Sequence, residues 1–191
     1  MSSRLGGVPL ALDVIAAVEE EVKERAGDKI ANLSQEEKGK LAREIALSAL
    51  RIAVLRSKPG LNINFDPETS LSFEGDSGPY LLYTHARCFS LLEKGKEIVP
   101  AFDTDVTASA LERSLLHFNE TLKGSIENIA PQKLVTYLFL VAQEFNSFYG
   151  QEQILSEDVK KTAHNLAIVS WTKEVLKQGL YVLGIQAVDV M

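Results

Sequence analysis

Aromatic and polar side chains are interleaved between residues 80 and 87 in a way that suits a binding surface. Helical spacing brings four of them onto neighbouring turns: Tyr80, Tyr83, His85 and Arg87. Aromatic rings stack on planar groups, and hydroxyl, imidazole and guanidinium groups form directional hydrogen bonds. The residues before them favour entry into a helix, because Gly75 and Gly78 permit turn conformations and Pro79 suits the first helical position.

A second group of aromatic residues comes just before Gly150, where residues 145–149 read Phe, Asn, Ser, Phe, Tyr. Large apolar rings are usually buried, so we interpret Phe145 and Phe148 first as core residues. Tyr149 stands next to the glycine and has a polar end. It is therefore the better candidate for an exposed ring on which a planar group stacks.

The letters GDSG at residues 75–78 also surround the nucleophile of some serine proteases. A catalytic triad is defined by geometry, and the best-known fold that carries this motif is rich in strands and extracellular disulfides. In this chain the apolar residues instead recur at helical spacing, and there is a single cysteine. We therefore interpret Ser77 as a turn residue.

The composition predicts a folded protein without metal or disulfide. The chain has 191 residues, 46% of them hydrophobic, which is enough for one main domain with an appendage. Cys88 is the only cysteine and the three histidines are scattered, so we expect no metal site. No apolar run is long enough to span a bilayer, and the start does not resemble a signal peptide. We expect a soluble cytoplasmic protein.

The charge distribution bears on the kind of partner. The formal net charge is −6, and residues 1–79 and 80–191 each hold ten basic and 13 acidic residues. A sequence-independent nucleic-acid binder would need an excess of lysine and arginine to neutralise phosphates. Any recognition of nucleic acid must therefore depend on local basic patches and on base stacking.

Apolar periodicity and capping residues predict helices in the first part of the chain. An amphipathic helix is expected between Pro9 and Gly27, and Ser34 with Glu37 forms a capping box for a second helix. The inward stripe of the second helix is Leu41, Ile45, Ile52 and Leu55. Asp66 is expected to cap a single helical turn.

The same signals predict a helical bundle in the rest of the chain. One helix runs from residue 80 to about 94, and another covers 107–123 with a new cap at Asn119. Pro131 opens a helix that ends at Gly150, and a long helix extends from Asp158 to Gly184. Five or six helices with short connections indicate an all-α helical bundle, preceded by linker helices.

Three motifs resemble arginyl-tRNA synthetases. Residues 72–87, SFEGDSGPYLLYTHAR, look like the segment by which these enzymes pass from the catalytic core to the anticodon-binding domain. FNSFY at 145–149 matches the FNxFY signature of the family, and LGIQAVDVM at 183–191 is similar to its C-terminus, which ends on methionine. Two positions depart from the family pattern, since Leu82 replaces a glutamine and Asn119 replaces a proline.

The first residues resemble the end of the KMSKS signature loop of that family in its form KMSSR. They are Met1, Ser2, Ser3 and Arg4, and the sequence has no lysine before Met1. In the family this loop steadies the ATP phosphates. The resemblance therefore implies that residues 1–79 are the end of the catalytic core with stem-contact helices. Residues 80–191 would be an anticodon-binding helical bundle of the DALR type.

By this resemblance, the complete enzyme joins arginine to its tRNA with ATP and magnesium. This part would bind the anticodon stem-loop of arginine tRNA, with no cofactor of its own and no activity apart from the catalytic half. The residues implied to surround the anticodon bases are Phe145, Asn146, Tyr149 and Met191. Lys173 and Lys177 are implied to contact phosphates. The residues at the junction are Tyr80, Tyr83, His85 and Arg87.

A second hypothesis belongs to a different class. The same helical bundle, with its acidic net charge and only four residues of a signature loop, also fits a standalone module without catalytic activity. Such a module would bind RNA or another protein. A preference for the native anticodon in a binding experiment favours the synthetase hypothesis, whereas a failure to bind tRNA favours the standalone module.

Overall fold

A computed structural model describes residue 16 and the ranges 34–63 and 66–191. Every regular element within those residues is a helix, which confirms the all-α class. In chain order they are α1 (Gln35–Leu55), α2 (Pro67–Ser70), α3 (Gly78–Lys94), α4 (Ala110–Leu116), α5 (Phe118–Glu127), α6 (Pro131–Gln151) and α7 (Val159–Val182). Residue 16 is helical, but the rest of the helix predicted between Pro9 and Gly27 lies outside the described residues, as do the signature-loop residues Met1–Arg4.

Local sequence signals start α1 as predicted. The Ser34 hydroxyl accepts a hydrogen bond from the Glu37 amide at 3.3 Å, and the Glu37 carboxylate accepts one from the Ser34 amide at 2.8 Å. This capping box satisfies two amides that would otherwise have no partner in the first turn. The inward stripe then buries Leu41, Ile45 and Ile52, with Leu55 partly buried.

Ser77 caps α3 and is not a nucleophile. Its hydroxyl accepts a hydrogen bond from the Tyr80 amide at 3.1 Å and donates one to the Ser72 carbonyl, and its side chain is buried. The next residue, Gly78, touches the backbone of α1, because a Cβ built there would lie 2.7 Å from the amide nitrogen of Ala49. Close packing of α3 on α1 therefore requires glycine at this position.

The prediction of a helix over 107–123 with a cap at Asn119 is wrong in detail. A capping box of Ser109 and Glu112 starts α4, with 3.2 Å between the Glu112 amide and the Ser109 hydroxyl. The break falls at His117, which ends α4 and precedes α5 without a side-chain cap. Asn119 lies exposed inside the first turn of α5. Helices α4 and α5, on either side of this break, both pack on α6.

Helix α3 lies at the centre of the bundle, in contact with α1, α6 and α7. Helix α6 begins at the predicted Pro131, and α7 begins one residue after the predicted Asp158. Asp158 caps α7, because its carboxylate accepts a hydrogen bond from the Lys161 amide at 3.0 Å. Gly179 allows α7 to approach α6 closely, since a Cβ there would lie 3.0 Å from a methyl carbon of Leu138.

The C-terminal residues after α7 fold back against the bundle. Gly184 has a φ of +74°, which turns the chain, and the Ile185 amide then donates to the Leu180 carbonyl at 2.9 Å. Ile185 is buried, and Met191 packs partly buried against the core. Among the described residues, none of the helices is both long enough and apolar enough to cross a membrane.

Candidate functional site

Asn146 connects α6 to α3 through all of its side-chain polar atoms. Its amide nitrogen lies 2.9 Å from the Tyr80 hydroxyl, 3.2 Å from the Thr84 hydroxyl and 2.9 Å from the Ala142 carbonyl. Its amide oxygen accepts a hydrogen bond from the Arg87 guanidinium. Two donor hydrogens are thus shared among three acceptors while the oxygen holds a cation, which fixes the orientation of this side chain.

Arg87 contacts two tyrosine rings from different helices. Its guanidinium carbon lies 4.7 Å from the centre of the Tyr83 ring and 4.6 Å from the centre of the Tyr149 ring. The same guanidinium donates to the Tyr83 hydroxyl at 3.1 Å. A planar cation stacks well on aromatic faces, so Arg87 holds Tyr149 of α6 against α3.

We call the five residues that these contacts join the tyrosine–arginine cluster: Tyr80, Tyr83, Arg87, Asn146 and Tyr149. Two of the predicted motifs therefore meet in space, because residues 80–87 and residues 145–149 supply all of its members. Thr84 also belongs to the contact between the helices, since its hydroxyl accepts a hydrogen bond from the Asn146 amide at 3.2 Å and donates one to the Tyr80 carbonyl of its own helix at 2.8 Å. Thr84 lies one turn after Tyr80 on the same side of the helix, where helical spacing predicts it.

Phe145 and Tyr149 differ in exposure although they are one turn apart. The Tyr149 side chain is 42% exposed, whereas Phe145 is 0% exposed, with 6.4 Å between the ring centres. The functional prediction for Phe145 as a residue in contact with bases is therefore wrong, because its ring packs in the apolar core below the surface. Its role is to support Tyr149 from beneath.

The other flank of α3 carries the second set of predicted residues. The Lys173 ammonium lies 5.2 Å from the centre of the Phe89 ring, a contact that was not predicted from the sequence. His85 Nδ1 lies 2.8 Å from the Val188 carbonyl oxygen and holds the C-terminal residues against α3. We call this set the tail face: His85, Lys173, Lys177 and residues 185–191. We call the exposed residues Ser90, Glu93 and Lys94 the ridge of α3.

Burial lowers the pKa of His85, and the charges of Lys173 and Lys177 act in the same direction. The Val188 carbonyl and Asp189 act in the opposite direction, but burial is the largest influence. Its Nε2 atom is buried without a hydrogen-bond partner. These features describe a neutral imidazole that donates from Nδ1 to Val188, and not a general base.

The contacts of His164 and Glu112 show a structural role for both residues. The Asp103 amide donates to His164 Nδ1 at 3.1 Å, and His164 Nε2 lies 4.0 Å from the Glu112 carboxylate. These contacts hold the loop between α3 and α4 on α7. Within the ranges that the structure describes, no group of three or more histidine, cysteine, aspartate or glutamate residues is arranged to hold a metal ion.

Comparison with known proteins identifies the family. Residues 81–191 match the sequence profile of the DALR anticodon binding domain. The chain belongs to this family. The matched residues include every member of the tyrosine–arginine cluster except Tyr80, and all of the tail face.

The related proteins of this DALR chain are arginine–tRNA ligases. The ligase of Methanospirillum hungatei is 34% identical over 192 residues, which cover 100% of this chain and 35% of the ligase. Arginine–tRNA ligase 1 of Bacillus cereus is 35% identical, again over 100% of this chain and 34% of its own length. The chain therefore spans about a third of the curated relatives that it matches, and it corresponds to their C-terminal part.

Solved structures agree with this placement. The arginyl-tRNA synthetase of Thermus thermophilus superposes with a TM-score of 0.85 at 29% identity, over 98% of this chain and 33% of that one. The Plasmodium falciparum enzyme has a TM-score of 0.76 at 19% identity, over 95% of this chain and 33% of its own, and shows the shared fold. The resemblance to arginyl-tRNA synthetases stated from three motifs is thereby confirmed.

Proposed function

We propose that this chain is the tRNA-binding C-terminal part of an arginine–tRNA ligase, and that the tyrosine–arginine cluster binds unstacked bases of the anticodon loop. The observation that carries the proposal is the position of Tyr149. Its ring is 42% exposed, yet Arg87 fixes one side of it at 4.6 Å. A fixed aromatic ring with free surface is how proteins bind the splayed bases of single-stranded RNA.

The energetic expectation follows from stacking. Each base that stacks on an aromatic side chain contributes about 1–3 kcal/mol to affinity, and this contribution tolerates any base. Preference between bases needs hydrogen bonds at their edges. The hydroxyls of Tyr80 and Tyr83 belong to the same cluster, where they accept hydrogen bonds from Asn146 and Arg87, respectively, and are groups suited to this task. Asn146 acts in this proposal by positioning Arg87, because its polar atoms are already engaged within the protein.

The tail face would contact the same RNA through charge. Lys173 and Lys177 are one turn apart on α7 and would neutralise phosphates, while Met191 lies at the end of the folded-back residues. The acidic net charge of −6 makes such a local arrangement necessary, because the chain as a whole repels RNA. Recognition would thus combine stacking at the cluster with a few phosphate contacts at the tail face.

Catalysis would belong to the rest of the ligase. That part would use ATP and Mg²⁺ to activate arginine before its transfer to tRNA in the cytoplasm. This chain would contribute the tyrosine–arginine cluster and the tail face, which bind RNA without taking part in the chemistry. The 191-residue chain alone is therefore expected to bind arginine tRNA without aminoacylating it.

The test is binding of the purified 191-residue chain to an arginine tRNA and to the same tRNA with its anticodon bases replaced. Fluorescence anisotropy at two salt concentrations separates the electrostatic contribution from the rest. We expect tighter binding of the native anticodon, and a loss of about 5- to 150-fold for Tyr149→Ala. Tyr149→Phe serves as the control that keeps the aromatic ring.

Three outcomes would overturn parts of this proposal. Equal binding of both tRNAs would remove anticodon recognition from this chain. No binding of either tRNA at low salt would instead support the standalone helical module. An unchanged affinity of Tyr149→Ala for the native tRNA would show that the cluster does not contact the anticodon.

A further inference from the structure

Tyr181 is a large aromatic side chain that the core does not use. It lies in the last turn of α7 and is 76% exposed, whereas its neighbours Leu180 and Leu183 are buried. Isolated apolar residues are common on protein surfaces and need no explanation by themselves. Tyr181 differs from such isolated residues because it lines a groove.

A groove of about 200 Å³ lies between the end of α7 and the folded-back C-terminal residues. Its lining combines an ammonium group, an aromatic ring, two side-chain amides and small apolar groups: Lys177, Gln178, Tyr181, Ile185, Gln186 and Ala187. A cation, an aromatic face and amides are the groups with which proteins bind a phosphate, a base and the edge of a base. The lining therefore fits a nucleotide.

The groove is formed before any ligand binds. The Gly184 amide donates to the Tyr181 carbonyl at 2.9 Å, and the Arg51 guanidinium of α1 donates to the Gly184 carbonyl. Further along, Val188 is held by His85. These bonds fix the chain that forms the second wall, so a ligand would not have to order it.

Tyr181 continues the row of lysines on α7. Lys173, Lys177 and Tyr181 are spaced four residues apart, so they share one side of the helix at intervals of about 6 Å along its axis. Lys173 is placed over the Phe89 ring at one end of this row, and Tyr181 stands at the other end, 76% exposed. The Glu174 carboxylate beside the row accepts a hydrogen bond from Gln178 at 2.6 Å, which offsets part of its charge.

We propose that Tyr181 is a second base-stacking residue of this protein. A single-stranded stretch of RNA follows Lys173 and Lys177 with its phosphates and places one unstacked base on the Tyr181 ring, with the Gln186 amide at the edge of that base. The inference rests on the proposed function and extends it, because it adds a base-binding position at the end of α7, beside Lys177 and residues 185–187 of the tail face.

The experiment compares three substitutions at this position in the 191-residue chain, with arginine tRNA as the probe in fluorescence anisotropy. Tyr181→Ala and Tyr181→Leu remove the aromatic face, and we expect each to weaken binding about 5- to 150-fold. Tyr181→Phe keeps the face and should bind within about twofold of the unchanged protein, since only a hydroxyl is lost. Thermal unfolding of all three should match the unchanged protein, because the side chain is 76% exposed.

Tyr149→Ala in the same series separates this inference from the proposed function. If Tyr149→Ala weakens binding while Tyr181→Ala and Tyr181→Leu do not, Tyr181 is not a stacking residue and the proposed function stands. If substitutions at Tyr149 and at Tyr181 both leave tRNA affinity unchanged, both proposals are wrong. If Tyr181→Ala leaves RNA affinity unchanged but shifts the sedimentation of the free protein, the stacking proposal is overturned and the groove is a contact between copies of this chain.

Discussion

The Arg87 guanidinium carbon lies 4.6 Å from the centre of the Tyr149 ring, across the contact between α3 and α6. These residues are 62 positions apart in the chain, and Asn146 holds the same guanidinium from α6. The Asn146 amide therefore fixes the Arg87 guanidinium, which lies over the Tyr149 ring. The exposed tyrosine is thereby held in one orientation before RNA arrives, which reduces the entropy lost on binding.

The first prediction concerns Arg87→Lys. Lysine keeps the charge but lacks the planar group that stacks on Tyr149 and reaches the Asn146 oxygen. Since a cation–π contact at a surface contributes about 0.5–1 kcal/mol, tRNA affinity should fall by about two- to fivefold. Arg87→Lys combined with Tyr149→Ala should bind like Tyr149→Ala alone. Anisotropy titrations of the two single variants and the double variant measure this coupling.

Lys94→Met is the matched control for Arg87→Lys. It removes a cation from the exposed ridge of the same helix without touching the cluster. It should leave the effect of Tyr149→Ala unchanged. Additive losses from Arg87→Lys and Tyr149→Ala would show that Arg87 does not act through the tyrosine ring.

A second prediction concerns stability. Asn146→Ala removes the acceptor of Arg87 and the donor to Tyr80 and Thr84, so partly buried polar groups lose their partners. The free energy of unfolding should fall by about 1–3 kcal/mol. Urea unfolding followed by the fluorescence of Trp171, the single tryptophan, measures it. Asn119→Ala changes an exposed asparagine and should stay within about 0.5 kcal/mol; equal losses in both variants would contradict the assigned role of Asn146.

The starts of the helices were predictable because their causes are local. Ser34 with Glu37, and Asp158, each satisfy amides within three residues of themselves, and so does Ser77, although the sequence indicated only a turn there. The break at His117 was not predictable in this way. His117 has no side-chain cap, and the residue that carries the cap signal, Asn119, lies two positions further on, inside the first turn of α5.

The site was predictable only as two separate motifs. The sequence showed that residues 80–87 and 145–149 are suited to binding, but nothing local brings Arg87 onto Tyr149 or Asn146 onto Tyr80. Burial also distinguished Phe145 from Tyr149, which one turn of α6 separates, because only the packed bundle decides which ring faces the core. The groove beside Tyr181 could not be predicted from the sequence for a related reason. Its second wall forms only when the chain folds back at Gly184.

A third prediction tests the proposed binding of phosphates on α7. Lys173→Met and Lys177→Met should each weaken binding to native and altered anticodons alike, because a phosphate carries no sequence information. The slope of log affinity against log salt should become shallower by about 0.7 for each phosphate of single-stranded RNA that is no longer neutralised. Lys123→Met on α5, where Lys123 lies 3.8 Å from Glu127, is the control. An unchanged slope in both α7 variants would remove these lysines from the RNA-binding surface.

A fourth prediction compares two glycines. Gly78→Ala would place a methyl group 2.7 Å from the Ala49 amide nitrogen and still closer to the Ser48 carbonyl, so α3 must move away from α1. We expect a loss of about 3 kcal/mol in the free energy of unfolding. Gly39→Ala inside α1 meets nothing within 4 Å and should stabilise the helix by about 0.5–1 kcal/mol. Urea unfolding of both variants measures these changes. If Gly78→Ala leaves the free energy of unfolding unchanged, the close approach of α3 and α1 is contradicted.

The fifth prediction is a pH dependence that arises from His85. Burial lowers its pKa in the folded protein, whereas the unfolded chain has the ordinary value of about 6.5. Between those two values the unfolded state binds more protons, so the free energy of unfolding is highest above about pH 6.5 and falls as the pH decreases through that window. Asp103 contributes in another range, because hydrogen bonds from the Asp105 amide and Lys160 lower its pKa, and its contribution is lost only below about pH 4.

Unfolding in urea at pH 5.5 and pH 7.5 measures this dependence, whose slope for one group is at most about 1.4 kcal/mol per pH unit. His85→Gln cannot take up the proton, so its stability should change less between the two pH values, although it is lower at pH 7.5 because the bond to Val188 is altered. Asn119→Ala replaces an exposed residue that does not titrate and should keep the pH dependence of the unchanged protein. If His85→Gln loses as much unfolding free energy at pH 5.5 as the unchanged protein does, the pH dependence comes from another group and not from His85.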